Sequence, residues 1–427
     1  MTERRWGRRA LVGAGAAVAM GAAWPLSRWL LAETPPPLEV EATRTLRPDP
    51  AGVLDLLEGF SYRVVQRAGD TMSDGLPVPP RADGMACFAR PEGWVLMRNH
   101  ELPSGLAARL YGGPAPGPAY VPTAAGSVTR LVLDPDTLAV RRSHLALSGT
   151  AVNCAGGATP WGWVSCEETE EEGHGYAFLV DPAHDGLAPP RRLDAYGRFA
   201  HEAVVLTPGS HVAYLTEDRG DGALYRFVPA DPAEPFGQGR LQALSTAGAR
   251  DGADTSGDRA GARREVSWVD VRQQTGTPLR ATARDRGALT FARGEGICRV
   301  EDAVVFCATS GGPIGAGQIF RLTDEGEGGT LEVLAASEDR GQLDMPDNIT
   351  SGPGGLVLFA EDGGGRDFLR LIRGDGEVLT FARNALSESE LCGPCFAPDG
   401  RTLFINLQED GLTLAVRGPF ADLARAA

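Results

Sequence analysis

The sequence predicts an all-β fold, a six-bladed β-propeller preceded by an N-terminal signal segment, and three observations predict it. Helical periodicity is nearly absent beyond the first residues, whereas short alternating or β-branched runs bounded by Gly, Pro and Asp recur along the chain. Glycine (56) and proline (31) together make about a fifth of the 427 residues, which suits many short strands joined by tight turns and lies below the level of low-complexity chains. One strand-turn-strand pattern also returns six times in order.

The chain opens on "MTERRWGRRALVGAGAAVAMGAAWPLSRWLLA", where Arg8-Arg9 precede a moderately apolar Ala/Gly/Val run in the manner of a twin-arginine export signal. The run is about the minimum spanning length and rich in Gly and Ala, which favours an export signal over a membrane anchor. No Cys follows it, so a lipoprotein linkage is excluded. Residues 1–34 are expected to be signal segment and tether, and residues 35–427 a single propeller domain. Export by the twin-arginine machinery would place the protein in the periplasm or outside the cell. That route carries folded cargo, which suits a protein that receives metal before it leaves.

The repeats are "DGMACFARPEGWVLMRNHE" (83–101), "NCAGGATPWGWVSCEE" (153–168), "HEAVVLTPGSHVAYLTED" (201–218), "GEGICRVEDAVVFCATSGG" (294–312), "PDNITSGPGGLVLFAEDGGG" (346–365) and "CGPCFAPDGRTLFINLQEDG" (392–411). Each has a polar start, a short strand, a tight turn, a stronger strand and an acidic or small polar end. A third strand follows, as in "GSVTRLVLDPDT" or "GALYRFVPAD", then a weaker fourth, as in "RRSHLALS". Four-stranded meanders of this kind are the signature of propeller blades. The long intervals between repeats hold two surface loops, 112–122 and 245–265, and "LEGFSYRVVQRAG" (57–69) is expected to supply the outer strand that closes the ring with the last blade.

Equivalent positions of all six repeats converge at one rim of a propeller's channel. They include Asn153, Cys154, His201, Glu202, Glu295, Asp347 and Asn348 at the strand starts. At the strand ends stand Asn99, His100, Glu101, Glu167, Glu168, Glu217, Asp218, Glu361, Asp362 and Glu409. Buried carboxylates without counter-charge cost several kcal/mol each, and cations are the simplest remedy. Oxygen ligands suit Ca²⁺ or another hard cation, and a thiolate among them suits a transition metal such as iron better. Because strand neighbours face opposite ways, one member of each pair such as Glu167/Glu168 or His201/Glu202 is expected to face the channel.

The formal charge is −15 with no Lys/Arg cluster beyond the N-terminus, which argues against a nucleic-acid surface and for cations or small molecules as partners. A monomer is expected. Seven cysteines cannot all pair within one chain, and Cys154 is the one expected to be free. Cys166 is expected to be buried structure. His144, His174, His184 and His211 are expected at the surface, and Glu170, Glu171 and Glu172 in a solvated loop.

The motifs "NCAGGATPWGWVSCEE", "GRFAHEAVV…YLTEDRGDGALYRFVP", "FARGEGI", "ATSGG", "PDNI…AEDG" and "GPCFAPDGRTLFINLQ", from about residue 83 to the C-terminus, together resemble the PhoX alkaline phosphatases. The resemblance implies a phosphomonoesterase acting on small phosphate esters with Fe³⁺ and Ca²⁺ in the channel. Carried over motif by motif, Cys154 would ligate iron. Glu168, Glu202, Glu217, Glu295 and Glu361 would share iron and calcium, with Asn99, Glu101 and Asp347 as further metal candidates. Arg293 would contact a phosphoryl oxygen through its planar fork of donors. His201 would donate to phosphate or to a ligand carboxylate. The chain departs from the family at Gly294, where the motif carries Pro, and in "TPWGW", one residue shorter before "CEE". Two other functions share the acidic rim: a Ca²⁺-dependent hydrolase of another class, such as a lactonase, and a non-catalytic Ca²⁺-binding propeller.

Overall fold

The computed structural model describes residues 45–247 and 253–426. The predicted signal segment and tether, residues 1–34, lie outside the described residues. Short strands β1 (Leu54–Leu56) and β2 (Ser61–Arg67) lead into a succession of antiparallel meanders. The first contains β3 (Ala82–Arg90), β4 (Gly93–His100), a short helix α1 (Ala107–Tyr111), β5 (Gly126–Leu133) and β6 (Val140–Thr150). The second contains β7 (Asn153–Thr159), β8 (Gly162–Glu167), β9 (Ala177–Val180) and β10 (Arg191–Arg192). Next come β11 (His201–Leu206), β12 (Ala213–Glu217), β13 (Tyr225–Pro229), β14 (Gly239–Thr246) and β15 (Arg263–Asp270), followed by α2 (Leu279–Arg284). Then follow β16 (Gly294–Val300), β17 (Ala303–Ala308), β18 (Gln318–Asp324) and β19 (Gly328–Ala336). The last two meanders contain β20 (Pro346–Ser351), β21 (Val357–Glu361), β22 (Phe368–Ile372) and β23 (Val378–Asn384), then β24 (Leu391–Phe396), β25 (Thr402–Leu407) and β26 (Leu412–Arg417), before a terminal helix α3 (Phe420–Ala426).

These strands form an all-β, propeller-like arrangement. Four-stranded sheets are ordered β3-β4-β5-β6, β10-β9-β8-β7 and β2-β26-β25-β24, and β1 extends β23-β22-β21-β20 to five strands. The remaining sheet has nine strands because β15 pairs with both β14 and β19, from Arg263↔Glu332 to Ser267↔Gly328 on the second side. The loop expected at 245–265 overlaps the end of β14 and the start of β15, a strand not expected from the sequence whose "REVSWVD" sets Val and Trp among polar residues, and 248–252 lie outside the described residues. Segment 57–69 does supply the strand expected to close the ring: β2 pairs with the C-terminal β26, Ser61 opposite Arg417 and Arg67 opposite Leu412.

The first strands of the meanders touch in a closed circuit, β3 on β7, β7 on β11, β11 on β16, β16 on β20, β20 on β24 and β24 on β3. Between consecutive meanders lie separate apolar clusters. Val95, Met97, Trp163 and Phe178 fill one such interface, and Phe291, Phe306 and Phe320 fill another. Each fully buried Leu, Val or Phe contributes roughly 1.5–3 kcal/mol, so the seams rather than one central core stabilise the ring and leave its middle to polar groups. All the described residues belong to one compact unit. No described helix is long and apolar enough to cross a membrane.

Candidate metal centre

Every innermost hairpin carries the same β-bulge. Pairing of β3 with β4 steps from Ala82↔His100 to Met85↔Arg98, leaving Asp83 and Gly84 opposite the single residue Asn99. The step recurs from Asn153↔Glu167 to Gly156↔Ser165, from His201↔Glu217 to Val204↔Leu215, and from Gly294↔Ala308 to Ile297↔Phe306. It recurs again from Pro346↔Glu361 to Ile349↔Phe359 and from Cys392↔Asn406 to Cys395↔Phe404. A bulge re-aims the side chains at its extra position. The first bulged residues are Asp83, Cys154, Glu202, Glu295, Asp347 and Gly393, so five of the six carry a carboxylate or thiol. The second bulged residues are small where strands crowd: a Cβ on Gly84 would lie 2.6 Å from the Cα of Ala155.

The aimed groups meet. Ligand atoms of Cys154, Glu168 and Glu202 lie within 4.8 Å of one another, as do those of Glu202, Glu295 and Asp347, of Asp347, Asp362 and Glu390, and of Asp83, Glu390 and Cys392. Shared members link these groups into one arc, and Cys154 Sγ, 3.2 Å from Glu202 Oε1 and 3.6 Å from Asp83 Oδ2, closes it. Gln408 Nε2 donates to Asp83 Oδ2 and Glu101 Oε2, both at 3.0 Å.

Burial, and then the neighbouring carboxylates, push Asp83, Glu168, Glu202, Glu295 and Glu390 well above the usual carboxylate range. Asp347 is pushed up to about 7 by burial and by Asp362, against the pull of Arg293. Burial and the surrounding acids likewise raise the Cys154 thiol. Asp83 Oδ1 and Glu202 Oε2 are buried with no hydrogen-bond partner. Orphaned oxygens facing like charges are what cation ligands present before loading, so the residues fit a cluster of hard cations with two sulfur donors, Cys154 and Cys392.

Two arginines border the arc. Arg293 Nε donates to Asp218 Oδ1 at 2.9 Å and its Nη2 to Glu295 Oε1 at 2.5 Å. Its backbone is held at φ 62°, an uncommon conformation for a non-glycine residue. Arg219 lies 3.8 Å from Glu168 and 3.2 Å from Glu170, and its carbonyl accepts the Arg293 N–H at 2.9 Å. Glu170 is therefore an ion-paired residue rather than a freely solvated one.

Of the residues singled out from sequence, Cys154, Glu168, Glu202, Glu295 and Asp347 come together in the arc, and Glu101 borders it with Arg81 at 3.1 Å. Four others point elsewhere. Glu217 accepts from Tyr225 at 2.8 Å and Arg280 at 3.2 Å, and Asp218, one residue on, stands beside Glu168 and Glu295. Glu361 accepts from Arg370 at 3.1 Å and from the Asp344 N–H at 2.9 Å, while Asp362 takes the place at the arc. Asn99 is occupied at both ends: Nδ2 donates to the carbonyls of Cys154 and Ala155, and Oδ1 accepts from Trp163 and Ser165. His201 is fully buried, stacked on Phe199 with centroids 3.5 Å apart, its Nε2 3.1 Å from the Gly197 carbonyl, and burial pushes it down to about 3.

Other expectations meet mixed outcomes. All seven cysteines are free, and Cys166 is buried as expected. His174 and His144 are buried rather than exposed, His174 because its Nδ1 lies 2.7 Å from Glu167, the partner of Glu168 that turns away from the arc. Asp83, Glu390 and Cys392 were not anticipated. Asp83 had a signal, since it stands at the start of the first repeat, as Glu202 and Asp347 stand within one residue of the start of theirs. Glu390 lies before any recognisable strand start.

A gluconolactonase from Xanthomonas campestris is 15% identical, covering 91% of this chain and 99% of that one with a TM-score of 0.44. A calcium-binding regucalcin from Agrobacterium tumefaciens is 14% identical over 84% of this chain and 96% of that one, with a TM-score of 0.39. No curated protein matches the chain. The family model for alkaline phosphatase PhoX matches residues 42–109 and 105–411, nearly the whole described ring together with its acidic arc. The chain belongs to the PhoX alkaline phosphatases, a family of metal-dependent phosphoric monoester hydrolases.

Proposed function

We propose that this protein is an exported, monomeric, six-bladed propeller, the nine-stranded sheet being two blades joined through β15 and β19, that hydrolyses small phosphate monoesters with Fe³⁺ and Ca²⁺. The observation that carries the metal assignment is the bulge repeated on successive inner strands, which gathers Asp83, Cys154, Glu202, Glu295 and Asp347. Cys154 with Glu168 and Glu202 would hold iron, since a thiolate among carboxylates suits it. Glu295, Asp347, Asp362, Glu390 and Asp83 would hold calcium, which takes several oxygen ligands. Bound there, such cations supply the positive charge that polarises phosphoryl oxygens and lowers the pKa of water.

The chain's own residues do the rest. Asp218 and Glu295 grip one edge of the Arg293 guanidinium and fix its plane, and its other N–H groups would orient phosphoryl oxygens. Gln408 fixes Asp83 and Glu101, and Arg81 offsets Glu101 at the rim. Apolar seams on both sides of each inner strand exclude water from behind the arc. His201, buried against Phe199, serves the fold by packing instead of donating to phosphate. The test is elemental analysis of natively exported protein together with release of phosphate from p-nitrophenyl phosphate, with and without a chelator. Iron and calcium with chelator-sensitive turnover are expected; protein without iron and without turnover would refute the proposal.

A further inference from the structure

Just outside the arc lies a cavity of about 320 Å³ lined by Glu170, Arg198, Gln273, Gly276, Thr277 and Pro278. Glu170 stands two residues beyond Glu168, and Arg219 spans the two, 3.8 Å from one carboxylate and 3.2 Å from the other. The cavity is thus joined to the arc through the Arg219 side chain.

Its lining is polar, with Glu170 and Arg198 as the charged residues. No aromatic ring lines it, and Pro278 is its apolar surface. The Glu170 carboxylate is already paired, with Arg219, shared with Glu168, and at 2.9 Å with Arg280, shared with Glu217 and Asp221. Arg198 is different. Its Nε donates to the His174 carbonyl at 2.8 Å and its Nη2 to the carbonyls of Glu170 and Glu171 at 2.6 and 2.7 Å. Those bonds hold the guanidinium in place without neutralising it, because Arg198 has no carboxylate in ion-pair range among the described residues. A fixed guanidinium over a small polar cavity favours a carboxylate or a second phosphate.

We infer that this cavity is the subsite for the alcohol part of the ester, and that it selects small hydroxylated alcohols bearing a second anionic group. The inference rests on the phosphatase reading above and deepens it. The test compares phosphoglycerate, whose alcohol carries a carboxylate, with glycerol phosphate, whose alcohol is uncharged, on metal-loaded protein. The wild type is expected to favour phosphoglycerate in kcat/KM, and Arg198→Met to reduce that ratio about tenfold, the scale of one lost charge-assisted hydrogen bond. Because Arg198 also braces three carbonyls, Gln273→Leu provides a second variant, expected to lower the same ratio by removing a polar wall. A wild type without preference, or a ratio unmoved in both variants, would overturn the subsite. Calorimetric binding of the two esters separates the failures. Protein that binds phosphoglycerate more tightly than glycerol phosphate but hydrolyses neither, nor p-nitrophenyl phosphate, overturns the phosphatase reading and leaves the subsite standing; equal affinities overturn the subsite.

Discussion

Stripped of metal, the protein is predicted to lose stability as pH rises, and calcium to restore it. Asp347 titrates from 3.8 when unfolded to about 7 when folded, because burial and Asp362 disfavour its charge. A raised folded pKa means that the folded state holds the proton more tightly. Its contribution is therefore fully present below about pH 4, shrinks between pH 4 and 7, and is gone above. Three pH units at about 1.4 kcal/mol each give about 4 kcal/mol for this group, of which about 3 kcal/mol falls between pH 5 and 8. Asp83, Glu168, Glu202, Glu295 and Glu390 are shifted in the same direction and add to the trend. A cation at about a hundred times its Kd returns about 2.7 kcal/mol by mass action. Guanidinium unfolding of chelated protein at pH 5 and pH 8, with and without added calcium, reads both effects. Glu217 and Glu361, each pushed up to about 7 by burial, and Asp367, pushed up to about 8, share the sign but stand outside the metal-ligand groups. Rescue by calcium at pH 8 therefore isolates the arc's part. His201 and His100, which burial pushes down, carry the opposite sign below about pH 6.5, so the refuting result is that calcium fails to raise the midpoint at pH 8.

Asp218→Asn and Glu217→Gln should part company although they are neighbours. The first loosens Arg293 and is expected to lower kcat/KM for p-nitrophenyl phosphate by about tenfold to a hundredfold, the usual scale for losing a group that orients a functional side chain. The second breaks a buried contact with Arg280 and should lower stability by roughly 1–3 kcal/mol with metal content unchanged, read by denaturation and elemental analysis. Gly393→Ala is expected to destabilise the ring by at least roughly 1–3 kcal/mol in thermal melts, because the position has φ +62° and an added Cβ would stand 2.2 Å from the Asp83 carbonyl oxygen.

Most of the ring was legible because each meander repeats the same hydrophobic and turn pattern, and the closing strand showed itself as an apolar run with no hairpin of its own. The site was legible to within one residue. Strict alternation says that one of each acidic pair faces inward but not which one. In the structure the residue that pairs with the bulged strand, Glu167, Glu217 or Glu361, turns away, and the next residue, Glu168, Asp218 or Asp362, faces the arc. Aligning "SCEE", "LTED" and "FAED" on their last residues contains that answer. What strand patterns cannot supply is the bulge itself, which shifts register on one strand only and leaves no mark in hydrophobic periodicity.

The bulge also explains how a pseudo-symmetric ring holds an asymmetric site. Five inner strands deliver a carboxylate or thiol at the first bulged position, and the last delivers Gly393, whose backbone presses against Asp83 where a side chain would not fit. Glu390 and Cys392, from just before that bulge, occupy the opening instead, and Glu390 is shared by two of the four ligand groups. On the fourth meander the residue following the paired position is Thr309, not an acid, and there Arg293 holds Glu295 from the preceding loop. Charge is thus thinned where Arg293 stands and concentrated on the opposite side around Asp83 and Glu390. An anionic ester approaching the ring is expected to meet its weakest repulsion at Arg219 and Arg293. The departures from the repeat thus thin the charge on one side of the arc, while the repeat itself gathers the groups that could hold cations.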